Sequence, residues 1–129
     1  MSASQNNLTM ILNQQDASGA NIILRTLGAF AYAGIVGNYF KGTLTTTGAT
    51  AFTLPTANVL QTLVVNTHAT AIMTLIATVQ GGSTQTVSKI QPGAAFANWS
   101  ITSGATSGFT AISLTSDTTG ATYEAFLGG

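Results

Sequence analysis

Short segments that alternate apolar and polar residues run along most of this chain, and turn residues separate them. Residues 59–65 and 71–79 are rich in aliphatic side chains, and Thr84 to Ile90 alternates threonine or serine with other residues. Period-two segments are typical of β-strands, because successive side chains of a strand point to opposite faces of a sheet. They recur at the spacing expected of an antiparallel sandwich or barrel.

Further strand candidates lie before and after these segments. Gly48 divides two short threonine-rich strands, and Pro55 ends the second because proline has no N–H for a strand ladder. The other predicted strands are residues 8–12, 21–27, 95–101, 109–115 and 121–127. The pattern predicts an all-β fold: an antiparallel β-sandwich of about eight strands, jelly-roll-like or Greek-key.

Turn residues refine this prediction. The polar residues 66–69 between two aliphatic strands predict a hairpin of residues 59–79. Pro92 and Gly93 predict a tight turn, since proline presets the second position of a turn and glycine accepts the positive φ of the third position in a type II turn. Residues 1–7 are polar and predict a flexible N-terminal arm, with residues 8–129 as a single β-sandwich domain.

Charge is unusually scarce. The chain has three acidic and three basic residues among 129, so 5% of residues are charged and the net charge is zero. Soluble domains run near ~25% charged, which keeps identical surfaces apart. In residues 71–79 neither face of the predicted strand carries a charge. This composition predicts a structural protein whose surface is covered by other subunits, most simply a homo-oligomer.

The same composition argues against other partners. Arg25, Lys41 and Lys89 are too few cations to neutralise the phosphates that a typical DNA-binding protein contacts, so no nucleic-acid partner is expected. The apolar run at residues 27–36 is shorter than the ~20 residues of a membrane-spanning helix and contains glycine, so no membrane partner is expected. The start, MSASQNN, does not resemble a secretory signal, which favours assembly inside a cell.

Residues capable of catalysis are sparse. His68 is the only histidine, there is no cysteine, and the three acids Asp16, Asp117 and Glu124 are scattered. We interpret His68 as a solvent-facing turn residue and Asp117 as an acceptor for its own turn, DTTG. The sequence therefore predicts no enzyme activity, no catalytic residues, no metal site and no cofactor.

Aromatic residues supply the candidate contact surface. Trp99, the sole tryptophan, is interpreted first as a core residue and second as an interface anchor. The glycine-punctuated segment at residues 30–40 concentrates large side chains that we assign to subunit or shell contact, with the monomer's own core as an equally weighted alternative. These candidate contact residues are Phe30, Tyr32, Ile35, Tyr39 and Phe40.

Two segments carry a family resemblance: VLQTLVVNT at residues 59–67 and IQPGAAF at residues 90–96. With the charge-poor Thr/Ala/Gly texture, they resemble the small capsid decoration, or cement, proteins of tailed bacteriophages. The resemblance implies a virion protein, assembled in the host cytoplasm, that binds the major capsid protein as a homotrimer at capsomer junctions. Two alternatives stay open: a carbohydrate- or surface-binding β module, and a head-fibre or tail adaptor subunit.

Overall fold

The structure is a computed structural model that describes residues 5–33, 36–99 and 108–129. Every regular element in these ranges is a β-strand, and the strands form antiparallel sheets. The predicted all-β class is therefore confirmed. No helix long and apolar enough to cross a membrane occurs in the described ranges.

The chain forms two compact units, Met1–Ile35 and Val36–Gly129. The first unit is a hairpin of strands β1 (Gln5–Gln15) and β2 (Asn21–Ala33), which pair in a two-stranded sheet of their own. At its turn the Asp16 carboxylate accepts hydrogen bonds from the backbone N–H groups of Ser18 and Ala20, at 2.9 and 3.0 Å. An aspartate that binds the following backbone in this way stabilises a tight turn.

The described residues of the second unit form eight strands. They are β3 (Gly37–Leu44), β4 (Thr50–Ala51), β5 (Gln61–Asn66), β6 (Met73–Val79), β7 (Thr84–Ile90), β8 (Ala95–Trp99), β9 (Phe109–Ser116) and β10 (Ala121–Gly128). They form two four-stranded sheets: the first sheet has the order β3-β10-β5-β8, and the second sheet has the order β4-β9-β6-β7.

These strand orders have a simple origin. Strand β3 pairs with β10, β4 with β9, β5 with β8, and β6 with β7, as in one long hairpin of four strands out and four strands back. Folding that hairpin over itself adds the pairs β5–β10 and β6–β9, which complete the two sheets. This is the jelly-roll arrangement, so the predicted sandwich of about eight strands is confirmed for the second unit.

The two sheets of the second unit share one hydrophobic core. Strand β10 buries every second side chain, as do β5 and β6, and the buried residues of both sheets join one cluster. Its fully buried large apolar members are Leu44, Val59, Val64, Met73, Leu75, Leu114 and Leu127. Burial of such aliphatic side chains supplies most of the free energy that stabilises a sandwich.

Several predicted boundaries agree with the structure and others do not. The predicted strand Thr84–Ile90 has the bounds of β7, and the Pro92–Gly93 turn is confirmed by a φ of 73° at Gly93 and a 3.0 Å bond from the Ala94 N–H to the Gln91 carbonyl. The predicted hairpin of residues 59–79 is wrong, because β5 and β6 lie in different sheets.

The domain boundary also differs from the prediction. The sequence predicts a flexible arm that ends at residue 7 and a single domain that starts at residue 8. In the structure the second unit begins at Val36. Strand β1 already includes residues 5–7, and residues 1–4 lie outside the described residues. The short polar segment gave no sign of strand pairing, because its partners at the end of β2 are more than 20 residues away in sequence.

Asn66 stabilises the connection between the first sheet and the second sheet. Its side chain is fully buried at the end of β5, and its Nδ2 donates to the carbonyls of Ala71 and Ile90, at 2.7 and 3.0 Å. Its Oδ1 accepts the N–H of His68 at 3.1 Å. These bonds satisfy the buried amide in this one arrangement of the chain. Removing the amide would leave the two carbonyls without that donor.

We expect Asn66→Ala to lower the free energy of unfolding by roughly 2–4 kcal/mol, because buried carbonyl acceptors lose their donor. Urea unfolding at fixed protein concentration measures this change. The matched control is Thr67→Ala, which removes an exposed hydroxyl that bonds only to the Thr122 hydroxyl at 3.0 Å. Equal losses for the two variants would contradict a special role for the buried amide.

Candidate contact surface

The structure separates the five candidate contact residues. Phe30 and Tyr32 belong to β2, Ile35 lies outside the described residues, and Tyr39 and Phe40 are neighbours in β3. Only the last two have described side chains. Assignment of the first three to a contact stays a prediction.

Tyr39 and Phe40 point to opposite faces of the first sheet. The Phe40 ring is half-buried and packs against Phe52 in the core, with ring centroids 5.1 Å apart. The Tyr39 side chain is 63% exposed on the outer face. The alternation of strand β3 therefore gives Phe40 the core role, the alternative that the sequence analysis left open, and leaves Tyr39 available for contact.

The outer face of the first sheet is largely apolar. Strand register places its side chains in two adjacent rows that cross β3, β10, β5 and β8. The first row is Tyr39, Phe126, Leu63 and Ala97, and the second is Lys41, Glu124, Val65 and Ala95. Side chains directly opposite one another on neighbouring strands are in contact range, so each row is continuous across the sheet.

These two rows enclose a cleft of about 120 Å³, which we call the Tyr39 cleft. It is lined by Tyr39, Leu63, Val65, Glu124, Ala125 and Phe126. Glu124 lies beside Tyr39 in this lining, and Lys41 Nζ lies 3.8 Å from Glu124 Oε1. Desolvation, followed by the bond to Glu124 and its charge, raises the pKa of Tyr39 above its ordinary value.

Trp99 supports the cleft from the side. Its indole stacks on the Phe126 ring with centroids 5.5 Å apart and an interplanar angle of 28°. The register places Trp99 opposite Gln61, in the row that neighbours Phe126 on the outer face. Strand alternation places Trp99 on the face of β8 opposite to Phe96, where it is half-buried with an inaccessible indole Nε1, outside the core cluster of the described residues.

The hairpin exposes the largest amount of aliphatic surface. All described side chains at residues 9–27 are exposed. The large apolar ones are Met10, Ile11, Leu12, Ile22, Ile23, Leu24 and Leu27, with exposed fractions from 36% to 64%. Leu12 pairs with Arg25 and Ile11 with Thr26, so neighbouring apolar residues of β1 lie on opposite faces and both faces carry aliphatic groups.

The outer face of the second sheet carries small polar side chains around Ile76. Thr74 and Thr78 of β6 face outward beside Thr84 of β7, and Thr78 Oγ1 lies 2.6 Å from Thr84 Oγ1. Lys89 is the cation that the register places on this face, opposite Thr74. Neither face of β6 carries a charged residue, as its sequence shows. The structure adds that one of these two faces is covered by the core.

The scattered ionisable residues serve turns. His68 Nδ1 accepts the N–H groups of Thr70 and Ala71, at 3.3 and 3.1 Å, so the half-buried imidazole organises its own turn. The Asp117 carboxylate accepts the N–H of Ile72 at 2.9 Å, which joins two loops, whereas Ser116 supplies the acceptor for the turn N–H of Thr118. Asp117 also accepts the Thr118 hydroxyl at 3.0 Å, so it serves its own DTTG turn, and the backbone N–H that it binds belongs to Ile72.

No group of three or more His, Cys, Asp or Glu side chains that would hold a metal ion occurs in the part of the chain that the structure describes. Comparisons with protein-family models, with curated proteins and with solved structures find no match for this chain. The function is therefore inferred from the geometry of the exposed surfaces.

The neighbours Tyr39 and Phe40 give a paired test of the face assignment. We expect Phe40→Ala to lower the free energy of unfolding by roughly 2–4 kcal/mol, because it opens a space beside Phe52. Tyr39→Ala should leave the melting temperature nearly unchanged, since the ring is mostly exposed. Thermal unfolding of both variants measures this difference, and the reverse order of stability would refute the assignment.

The hydrogen bonds of Asp117 predict that the free energy of unfolding decreases at acidic pH. Hydrogen bonds from the Ile72 N–H and the Thr118 hydroxyl, which outweigh desolvation, hold the pKa of Asp117 below its ordinary value. A lowered folded-state pKa means that the ionised group contributes stability above about pH 4 and loses it as the pH falls through the folded-state pKa. Asp117→Asn should therefore be less stable than the parent at pH 7, and the difference should shrink as the pH falls below about 4.

Urea unfolding of both proteins at several pH values and one protein concentration tests this prediction. A stability difference that does not change with pH would show that Asp117 acts through its shape rather than through its charge.

Proposed function

We propose that this chain is a structural subunit that functions as a homo-oligomer in a virion, decorating and stabilising a phage capsid at capsomer junctions. One observation carries the assembly part of this proposal: a two-stranded hairpin that exposes aliphatic side chains on both faces. The position on a capsid and the major capsid protein as partner come from the sequence resemblance to decoration proteins.

An exposed apolar hairpin is an unfavourable solitary element. A two-stranded hairpin is marginally stable in water, and three or more strands or a packing partner are needed for independent stability. The seven exposed aliphatic and methionine side chains of the hairpin leave apolar surface on both of its faces. Covering this surface would stabilise both the hairpin and the assembly.

A second copy of the hairpin is the occupant that fits best. The described hairpin carries one acid, in the turn, and one arginine, so identical hairpins approach without strong charge repulsion. Each strand pairs on one side within the described structure, so its other edge can add a strand from another copy. Because the surface is the same on every subunit, closed symmetric association follows naturally; the number three is taken from the resemblance.

The non-catalytic part of the proposal rests on how the ionisable groups are used. Asp16, His68 and Asp117 each accept backbone N–H groups that fix turns, so these bonds give the three residues a structural purpose. Glu124 lies with Lys41 and Tyr39 on the outer face of the first sheet.

A charge placed on the hairpin tests the assembly proposal. We expect the parent protein to have an oligomeric mass in solution and Ile11→Lys to shift it to the monomer, because an ammonium group cannot be buried in an aliphatic contact without a partner. Ile11 is 62% exposed, so the substitution fits the free hairpin. Multi-angle light scattering at micromolar concentration measures the mass.

Thr86→Lys is the matched control, because it adds the same charge at an exposed position of β7. It should keep the parent mass, and Leu27→Lys should repeat the effect of Ile11→Lys. A monodisperse monomer for the parent protein would sink the assembly proposal.

Attachment to a shell is tested separately. The purified protein should co-sediment with empty heads assembled from the major capsid protein of the same phage. Co-sedimentation with tails or fibres alone would favour the adaptor alternative.

A further inference from the structure

The Tyr39 cleft has two chemically different sides. Its floor consists of the half-buried side chains Leu63, Val65 and Phe126, which are apolar. Its rim carries the Tyr39 hydroxyl and the Glu124 carboxylate, which are both polar. The cleft is therefore amphipathic, with an aromatic surface beside a hydrogen-bonding edge.

The floor of this cleft is rigidly held. Phe126 and Glu124 belong to β10, which pairs along its length with β3 and, from Tyr123 to Gly128, with β5. The Trp99 indole stacks on the Phe126 ring and fixes its orientation. Recognition groups on central strands with packed side chains need little reordering when a ligand binds.

The chemistry of the cleft selects among ligand classes. A purely apolar group would bury the Glu124 carboxylate without a new donor, which is costly. An anionic ligand would be repelled by that carboxylate, and a small cation would make no contact with the apolar floor. The carboxylate only accepts hydrogen bonds, so the fitting ligand presents hydroxyl donors on one side and C–H groups on another.

We propose that the Tyr39 cleft binds one ring of a neutral sugar, with a C–H face against Phe126 and Tyr39 and hydroxyl groups on the Glu124 carboxylate. A volume of about 120 Å³ is below that of a drug-sized pocket, so it accommodates a single ring. This inference goes beyond the proposed structural function, because it gives the assembled particle a surface for glycans. It uses none of the hairpin residues.

A single sugar ring has few atoms, so we expect a dissociation constant on the order of millimolar. Arrays of subunits would raise the effective affinity for a glycan-covered surface through multivalent binding. Trp99 is the only tryptophan, and its stacking on Phe126 makes its fluorescence a local reporter of the cleft.

The test titrates the full-length protein with methyl glycosides of glucose, galactose, mannose and N-acetylglucosamine while Trp99 fluorescence is recorded. At least one neutral glycoside should give a saturable change. Cyclohexanol, a ring with one hydroxyl, and methyl glucuronide, an anionic sugar, should each bind at least several-fold more weakly. No saturable response to any neutral glycoside, or an equal response to cyclohexanol, would overturn the proposal.

Variants locate the response. Glu124→Gln, which keeps the shape but weakens the acceptor, should lower the affinity about tenfold, a typical difference between charged and neutral hydrogen-bond acceptors. Tyr39→Ala should abolish saturation, and Lys89→Gln on the second sheet should change nothing. If Tyr39→Ala leaves binding intact, or if it instead reduces the mass of the oligomer, the cleft is not a sugar site.

The outcome is separable from that of the assembly proposal. Ile11→Lys should bind the glycoside as the parent does, even when it is monomeric. Conversely, a parent protein that is monomeric in solution and still binds the sugar would retain this inference and lose the assembly proposal.

Discussion

The insertion of the last strand, β10, between β3 and β5 is the constraint on which the second unit depends. This pairing joins the beginning of the unit to its end and brings the outward residues of three strands into common rows. Without it the first sheet would fall into separate strands, and the core residues Tyr123 and Leu127 would lose their cover. Such pairings between distant segments make jelly rolls slow to form, since loop closure precedes the gain from the contacts.

Strand alternation made much of this fold predictable from sequence. The segment Thr84–Ile90 has the predicted bounds because turn residues flank it on both sides. The connection from β5 to β6 was mistaken for a hairpin, because a polar turn between two aliphatic strands does not show in which sheet each strand will pair. The structure supplies the missing information in Asn66, whose bonds join the end of β5 to Ala71 and to Ile90 at the end of β7.

The Tyr39 cleft could not be predicted from the sequence, although the alternation that produces each part of it could. Alternation in β10 places Glu124 and Phe126 on one face, and alternation in β3 does the same for Tyr39 and Lys41. The two strands are more than 70 residues apart in sequence, and their register rests on long-range pairing rather than on local pattern. Trp99 illustrates the same limit: an isolated tryptophan near a strand end does not reveal its face.

Two exposed surfaces with different physical demands therefore coexist in this charge-poor chain. The hairpin is aliphatic on both faces. A ligand with hydroxyl or charged groups would not bury this apolar surface favourably, so another apolar surface of matching size stabilises it best. The Tyr39 cleft pairs an apolar floor with a hydroxyl and a carboxyl group on its rim, which a wholly apolar partner would leave without hydrogen-bond partners. Permanent association is consequently expected through the hairpin, and reversible binding of a small amphipathic group through the first sheet.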